Sequence, residues 1–475
     1  MNHDPLNILL ITSEDNGPDL SCYGAPFIQT PNLDRLASEG ACFENAYCTQ
    51  AVCSPSRASI LTGLFPHQCG QIGLATHRYT MHRSFPTLTS VLKNAGYRTG
   101  RIGKLHVLPE SAFPFDFVWR DSASISFSHR DVKKTAEVAG EFMNQGDEPF
   151  FLMLNYADAH LPWLPQQFGI PEKPLTAEDV RVPPAAGADS PRLRAHTANY
   201  YNCLSRLDTG VGMLLDELER SGESDNTLVI FITDHGPQFS RGKGCTYELA
   251  VRVPFIVRWP GAGSPGMVRE HLTSCIDVMP TILDALDIEP PEPLPGRSVR
   301  PLLEGNADNW RTHMFCEWTT SHPFPLPSFL FPQRSVRDER YKLIETLLTD
   351  QDNPVESYYT RQVLVESGAT QPEIDAASED VRRVFESWRR PEPVELYDLH
   401  TDPCEFNDLS ESSDHDAIRN ALLNELRNWQ QETDDPLADP EKLARLVEED
   451  MEVQGLRGEH RKPEFQWRYV DYLYQ

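Results

Sequence analysis

Four nearly unbroken apolar runs divide the chain: NILLIT (7–12), PFFLMLNY (149–156), TLVIFIT (227–233) and VPFIVRW (253–259). Runs apolar at successive positions predict strands covered on both faces, as in the middle of a parallel sheet. Between them, apolar residues recur every three or four positions in PNLDRLASEG (31–40), FPTLTSVLKNAG (85–96), RLDTGVGMLLDELERSG (206–222) and IDVMPTILDALDI (276–288). That spacing predicts helices with one buried face, and glycine stands where several of them should stop. Strand alternating with helix predicts an α/β domain: a large mixed, mostly parallel sheet flanked by helices.

The pattern changes after about residue 305. Prolines crowd 323–332, short strand-like pieces come next (RSVRDERYKLI, VELYDLHTD), and a helix is predicted over 416–432. We therefore expect an α/β domain over 1–305 and a smaller α+β domain over 306–475. The final EFQWRYVDYLYQ is dense in aromatic residues. It predicts an arm that docks on its own or a neighbouring subunit, which leaves a homo-oligomer open.

Composition narrows the partners. At 475 residues the chain exceeds the usual size of one core. Its net charge of −28 argues against nucleic acid and anionic membranes as partners. It does not exclude an anionic substrate, because scarce bases gathered in one cleft can hold an anion. No stretch approaches the ~20 apolar residues needed to span a bilayer. MNHDPLNILLIT enters its first strand without a leader pattern, so a cytoplasmic location is expected, or a periplasmic or secreted one if a leader has been removed. The ten cysteines are scattered without a CxxC pair, which predicts reduced, partly buried thiols rather than a zinc ribbon or disulfide framework.

In open α/β sheets, ligands gather at the carboxyl ends of the strands. NILLIT leads into Ser13, Glu14, Asp15 and Asn16, TLVIFIT into Asp234 and His235, and PFFLMLNY into Asp158 and His160. Three strand ends that bring acids and imidazoles to one edge would form a divalent-cation site. Any one of them alone reads equally well as a turn or helix cap. In AVCSPSRASILTGL, Cys53 and Ser54 fall at a helix amino end, where free N–H groups favour an anion, and Arg57 lies one turn inside. GRIGKLH places Lys104 and His106 on one face of an extended segment, and RGKGCTYE puts Lys243 in a glycine-flanked loop.

These residues carry a resemblance. CSPSRASILTG resembles the signature of the type I sulfatases of the alkaline phosphatase superfamily, whose cysteine in C-x-P-S-R is oxidised to formylglycine. NILLITSEDNG, GYRTGRIGKLH, FITDHG, KGCTYELAVRVP and VELYDLHTDPCEFNDL resemble further family segments, so the likeness spans nearly the whole chain. PHQCGQIGL, RIGKLHVLPESAFPFDF, QRSVRDERYKLI and WQQETDDP resemble the heparan N-sulfatase (sulfamidase) branch.

The resemblance implies that Glu14, Asp15, Asp234 and His235 bind one divalent metal. It implies that Cys53, as hydrated formylglycine made by a maturation enzyme, supplies the attacking oxygen. Arg57 and Lys104 would orient that nucleophile, while His106, His160 and Lys243 would hold sulfate oxygens or protonate the leaving group. The implied reaction is hydrolysis of sulfate esters or sulfamates on a glycan-derived saccharide. The alternatives are a phosphonate or phosphate monoester hydrolase of the same superfamily and a non-catalytic sulfated-glycan binding protein. Two positions depart from many members: aspartate is usual where this chain has Glu14, and asparagine where it has His235. Calcium is the expected metal; the imidazole leaves Mg2+ and Mn2+ open. Candidate sugar contacts are His77, Arg78 and His82 after the signature helix and His322 in the proline-rich loop.

Overall fold

The computed structural model describes residues 5–120, 129–321, 328–361 and 367–475. Its strands are β1 (Asn7–Ser13), β2 (Ala41–Phe43), β3 (Ala46–Tyr47), β4 (Arg98–Ile102), β5 (Phe117–Trp119), β6 (Phe150–Tyr156), β7 (Thr227–Thr233), β8 (Phe255–Arg258), β9 (Met267–Arg269), β10 (Thr273–Ser274), β11 (Met314–Trp318), β12 (Gln333–Arg337), β13 (Tyr341–Thr346) and β14 (Val394–Asp398). An eight-stranded sheet has the order β5-β4-β6-β1-β7-β8-β2-β9. β5, β4, β6, β1 and β7 run parallel, whereas β8 is antiparallel to both β7 and β2. The mixed, mostly parallel sheet expected from the pattern is present, and VPFIVRW supplies its antiparallel member. An apolar run reports burial on both faces; it is silent on strand direction.

β1 lies between β6 and β7, and all residues of these three strands are buried. Their register pairs Ser13 with both Tyr156 and Thr233, so the three chains leave the sheet at the same height. Flanking helices include Pro31–Glu39, Leu88–Asn94, Val132–Met143 and Pro191–Arg220. The last begins well before the predicted 206, because its polar first half shows no clean apolar stripe. Its start is marked instead by Ser190, whose side chain accepts from Leu193 N, and by proline in the first turn. Gly40, read as a left-handed helix stop, has φ −131°. Its requirement is closeness: a Cβ there would lie 2.3 Å from the Val257 carbonyl oxygen.

β11 to β14 form a four-stranded antiparallel sheet. Helix Asp416–Glu432, at the predicted bounds, covers it with Leu422, Leu426 and Trp429 packed against Val336, Leu343 and Leu396. The largest apolar cluster holds β1, β6 and β7 side chains together with Cys316, Trp318, Ile344 and Trp388, so both sheets share a core.

The arm folds back on its own chain. Trp467, Tyr469, Tyr472 and Leu473 cluster with Ile72, Tyr79 and Leu330. Trp467 stacks on Tyr79 at 4.4 Å between ring centroids and donates to the His77 carbonyl at 2.9 Å. Tyr469 Oη accepts from Thr80 N at 3.0 Å, and its one proton is shared between the Gly70 and Thr80 carbonyls, each at 2.9 Å. With ~150–250 Å2 per aromatic side chain at ~25 cal/mol/Å2, each buried ring contributes about 4–6 kcal/mol before the cost of ordering it. Those rings are thereby removed from the surface open to a second subunit. No helix among the described residues is long and apolar enough to cross a membrane. None of the ten cysteines is joined in a disulfide.

Candidate active site

The aligned ends of β1, β6 and β7 deliver Glu14 and Asp15, then Asn155 to His160, then Asp234 and His235 to one edge. Asp15 turns back sharply, with φ 51°. Asp234 Oδ1 supports this turn by accepting from Asp15 N at 3.1 Å and from His235 N at 3.0 Å. The chain after β7 is tightly confined. A Cβ on Gly236 would lie 2.0 Å from the Leu249 carbonyl oxygen, so only glycine fits behind the Asp234–His235 pair.

Cys53 begins helix Cys53–Thr62, in which every residue is buried. Its Sγ lies 3.5 Å from His235 Nε2, 3.9 Å from Asp15 Oδ1 and 3.9 Å from Lys243 Nζ. Burial raises the thiol pKa, but the Lys104 and Lys243 ammonium groups outweigh it and bring the thiol below its ordinary value. Arg57, one turn on, donates to Asp234 Oδ2 from Nε at 3.1 Å and from Nη2 at 3.0 Å, and from Nη2 to Asn155 Oδ1 at 2.6 Å.

The acids are held ionised although none is more than 1 % exposed. Burial pushes Glu14 up, and Lys104 with Arg57 overcomes this to hold it at about 2. Burial likewise opposes ionisation of Asp234, which His235 and Arg57 hold at about 2. Against the same burial, Asp15 is pushed lower still, chiefly by Lys243, whose Nζ donates to its Oδ2 at 2.8 Å. His235 is shifted the other way: burial disfavours its charge, but Asp234 and Asp15 raise its pKa above the usual range.

Two groups of donor atoms converge within 4.8 Å: Asp15, Cys53, Asp234 and His235, and separately Glu14, Cys53 and His160. His235 Nδ1 lies 3.0 Å from the Gly236 carbonyl, which accepts its proton and fixes the tautomer. Nε2 lies 3.2 Å from Asp15 Oδ1 and 3.6 Å from Asp234 Oδ1, and would offer them a proton or, once that proton is displaced, offer its lone pair to a cation. An imidazole so oriented beside two ionised carboxylates suits a divalent cation.

Of the residues expected from sequence, Glu14, Cys53, Lys104, His106, His160, Lys243 and Arg78 line one cavity of about 660 Å3, while Asp15, Arg57, Asp234 and His235 pack around its floor. Lys104 and His106 are not on a continuous extended segment, because His106 has φ 60°. Neither ring nitrogen of His106 has a hydrogen-bond partner among the described residues. Burial, with Lys104 and Arg57 next in effect, keeps that ring neutral, well below its usual pKa. Asp158 leaves the expected acidic set: its Oδ1 pairs with Arg206 Nε at 2.6 Å, buried on both sides. Asp158 still lines the cavity, but of the two only His160 groups with other metal-ligating side chains, Glu14 and Cys53.

His77 and His82 are taken by the arm. His77 Nδ1 meets His460 Nε2 at 2.8 Å, and His82 stacks on Tyr474 at 3.9 Å. Arg78 stays on the cavity wall, with φ 67° and Nη2 donating to the Pro463 carbonyl at 2.9 Å. His322 lies outside the described residues. Sequence reasoning missed Asn155, which joins Glu14 to Arg57. The signal was a lone amide in an otherwise apolar strand. It also missed Trp119, Arg120, Tyr358 and Tyr359 on the cavity wall, which nothing in their local pattern marks.

The sulfatase family profile matches residues 6–288, and a profile for the carboxyl-terminal part of N-sulphoglucosamine sulphohydrolase matches 239–361. The chain is 32% identical to the human N-sulphoglucosamine sulphohydrolase, over 91% of each protein. It is similar in fold to a protein solved with its substrate D-glucosamine-2-N,6-O-disulfate (TM-score 0.66, 21% identity, 91% of this chain and 99% of that one). It is similar also to the phosphonate monoester hydrolase of Agrobacterium radiobacter (TM-score 0.67, 21% identity, 90% and 96%). With a sulfatase profile over more than half its length and a relative of this identity over nearly all of it, the chain belongs to the sulfatase family, hydrolases of sulfate esters and sulfamates.

Proposed function

We propose that this sulfatase removes the sulfo group from a small sulfated amino sugar, N-sulfoglucosamine foremost, using Cys53 matured to formylglycine and one divalent cation. The observation that carries the proposal is the convergence at one cavity floor of Cys53 with Asp15, Asp234 and His235 on one side and Lys104, Lys243 and His160 on the other. The relative solved with a 2-N,6-O-disulfated glucosamine and the identity to an N-sulphoglucosamine sulphohydrolase support the choice of sugar. So does the cavity volume, which falls within the ~300–1,000 Å3 of small-molecule sites.

Formylglycine at position 53 supplies, as its hydrate, an oxygen nucleophile and a second hydroxyl through which sulfate leaves and the aldehyde returns. The cation, held by Asp15, Asp234 and His235, supplies a fixed positive charge for the sulfo oxygens; calcium, magnesium and manganese all suit those donors. This chain's own residues do the rest. Lys104 and Lys243 face the sulfo group with ammonium donors that stabilise charge on its oxygens as the S–O or S–N bond breaks. His106, His129 and His160 line the cavity, and of these His160 groups with Cys53 and Glu14. Held below its usual pKa by burial and with Nδ1 donating to the Leu161 carbonyl at 2.7 Å, a neutral His160 offers the lone pair of Nε2, which would accept from a hydroxyl or amino group of the sugar.

The test has two parts. Mass spectrometry of the Cys53 peptide, from a host that carries the maturation enzyme, should show the mass loss of formylglycine. Released sulfate should then be measured on N-sulfoglucosamine and on O-sulfated monosaccharides. Turnover of only the O-sulfated sugars would reject the sulfamidase assignment. A greater kcat/KM on a phosphate or phosphonate ester of the same leaving group would reject the proposed sulfatase activity, and an unmodified Cys53 in active protein would reject the formylglycine nucleophile.

A further inference from the structure

Glu14 and Asp15 are neighbours at the end of β1, yet their carboxylates serve different partners. Asp15 joins Asp234, His235 and Cys53. Glu14 Oε2 accepts from Lys104 Nζ at 2.5 Å, and Oε1 accepts from Asn155 Nδ2 at 2.6 Å. Asn155 Oδ1 in turn accepts from Arg57 Nη2 at 2.6 Å and from Thr12 Oγ1 at 3.1 Å. A continuous chain therefore runs Lys104–Glu14–Asn155–Arg57, with Glu14 Oε1 also 3.7 Å from Arg57 Nη2.

Both oxygens of Glu14 are occupied on a side chain with no exposed surface, as are those of Asp234, but it is Asp234 whose oxygen groups with Asp15, Cys53 and His235, whereas Glu14 groups with Cys53 and His160. Turning Glu14 toward Asp15 would break its hydrogen bonds with Lys104 Nζ and Asn155 Nδ2, at about 1–3 kcal/mol for each. Asn155 is 7 % exposed in an apolar strand, and such an amide is tolerated when both its ends are bonded, as they are here. Gly103 completes the arrangement. A Cβ there would lie 2.7 Å from the Asn155 carbonyl oxygen, so glycine lets the chain before Lys104 pass close enough for the ammonium to reach Glu14.

We propose that Glu14 and Asn155 are positioning residues that hold the Lys104 ammonium and the Arg57 guanidinium beside Cys53, and that the divalent ion is held by Asp15, Asp234 and His235 without Glu14. The kinetic part rests on the function proposed above; the metal-binding part does not.

The full-length chain, stripped with chelator, is titrated with Ca2+ and separately with Mn2+ by equilibrium dialysis. Asp15→Asn, Asp234→Asn and His235→Ala should each weaken binding by more than about 100-fold, and Glu14→Gln, Glu14→Asp and Asn155→Ala by less than about tenfold. With metal restored, the Glu14 and Asn155 variants should lose about 10–100-fold in kcat with little change in KM, as expected of misplaced catalytic groups. Glu14→Asp keeps the charge but not the reach, so it should not rescue kcat. The Glu14→Gln/Asn155→Ala double variant should be no worse than either single one, since the two act as a unit. Loss of metal affinity in Glu14→Gln equal to that in Asp234→Asn would overturn the proposal, as would additive kinetic losses. If Glu14→Gln does not fold, Asn155→Ala carries the same comparison. If no sulfated sugar is turned over by the unaltered enzyme, the binding measurements still decide the ligand set.

Discussion

Arg57→Lys keeps a positive charge at the heart of the site and removes its geometry. The guanidinium makes three short contacts: Nε to Asp234 Oδ2 at 3.1 Å, Nη2 to the same oxygen at 3.0 Å, and Nη2 to Asn155 Oδ1 at 2.6 Å. A lysine ammonium is a point charge on a flexible stem and cannot reproduce that fork. Keeping its contact with Asp234, it forfeits two charge-assisted hydrogen bonds worth about 1.5–3 kcal/mol each, or roughly 3–6 kcal/mol in all. Asp234 also fixes the turn that presents Asp15 and His235. At about 1.4 kcal/mol per decade, kcat/KM should fall roughly 100- to 10,000-fold. The assay is initial-rate sulfate release, with thermal unfolding of the same preparations to separate misfolding from misplacement. A folded Arg57→Lys enzyme within threefold of the parent would refute the claim that fork geometry, rather than charge, matters here.

Two further predictions concern stability. Glu395 is fully buried with Oε1 accepting from Tyr247 and Tyr397, and burial raises its carboxyl from the ordinary 4.5 to about 7. A carboxyl raised in the folded state stabilises fully below pH 4.5 and loses that contribution as pH rises through 7; at about 1.4 kcal/mol per pH unit the loss is roughly 3 kcal/mol. Denaturant midpoints should therefore fall between pH 5 and pH 8, a trend that Glu395→Gln should flatten; an unchanged pH slope in the variant would disprove the assignment. Tyr469→Phe leaves the half-buried Thr80 N–H without its acceptor and should cost about 1 kcal/mol in chemical denaturation. Because the arm holds the loop bearing Arg78, KM for the sulfated sugar should also rise, and a purely stability effect would show the arm to be mere scaffold.

Much of the fold was legible because the buried strands declare themselves. Any segment covered on both faces must be apolar throughout, and β1, β6 and β7 are. The polar residues directly after those strands were legible for the same reason: Glu14, Asp15, Asp234 and His235 are conspicuous against apolar runs. Strand direction in β8 was not, nor the first half of helix Pro191–Arg220, whose boundary rests on a cap rather than a periodic stripe. Asp158 shows the limit of reading strand ends. Its sequence setting matches that of Asp234, and only the distant Arg206 turns it into a structural pair. His77 and His82 fail as free cavity groups for a similar reason, since their partners lie almost four hundred residues away in the arm. Contacts at such separation leave no local trace.

The charges at the site carry one more consequence. Glu14, Asp15 and Asp234 are ionised, and they face Arg57, Lys104 and Lys243 in direct ion pairs. With His235 neutral, three against three leaves little net attraction for an anion, in a molecule whose overall charge of −28 repels one. A sulfo group is drawn in only if further positive charge is added, which the proposed divalent cation would supply. At short range in a protein site one unit charge is worth up to about 4 kcal/mol, so removing the cation should weaken sulfate binding by well over tenfold. Isothermal titration of inorganic sulfate into chelated and calcium-loaded protein measures the difference directly. Equal affinity in the two states would mean that the lysines suffice alone, and that pairing with the carboxylates does not quench them.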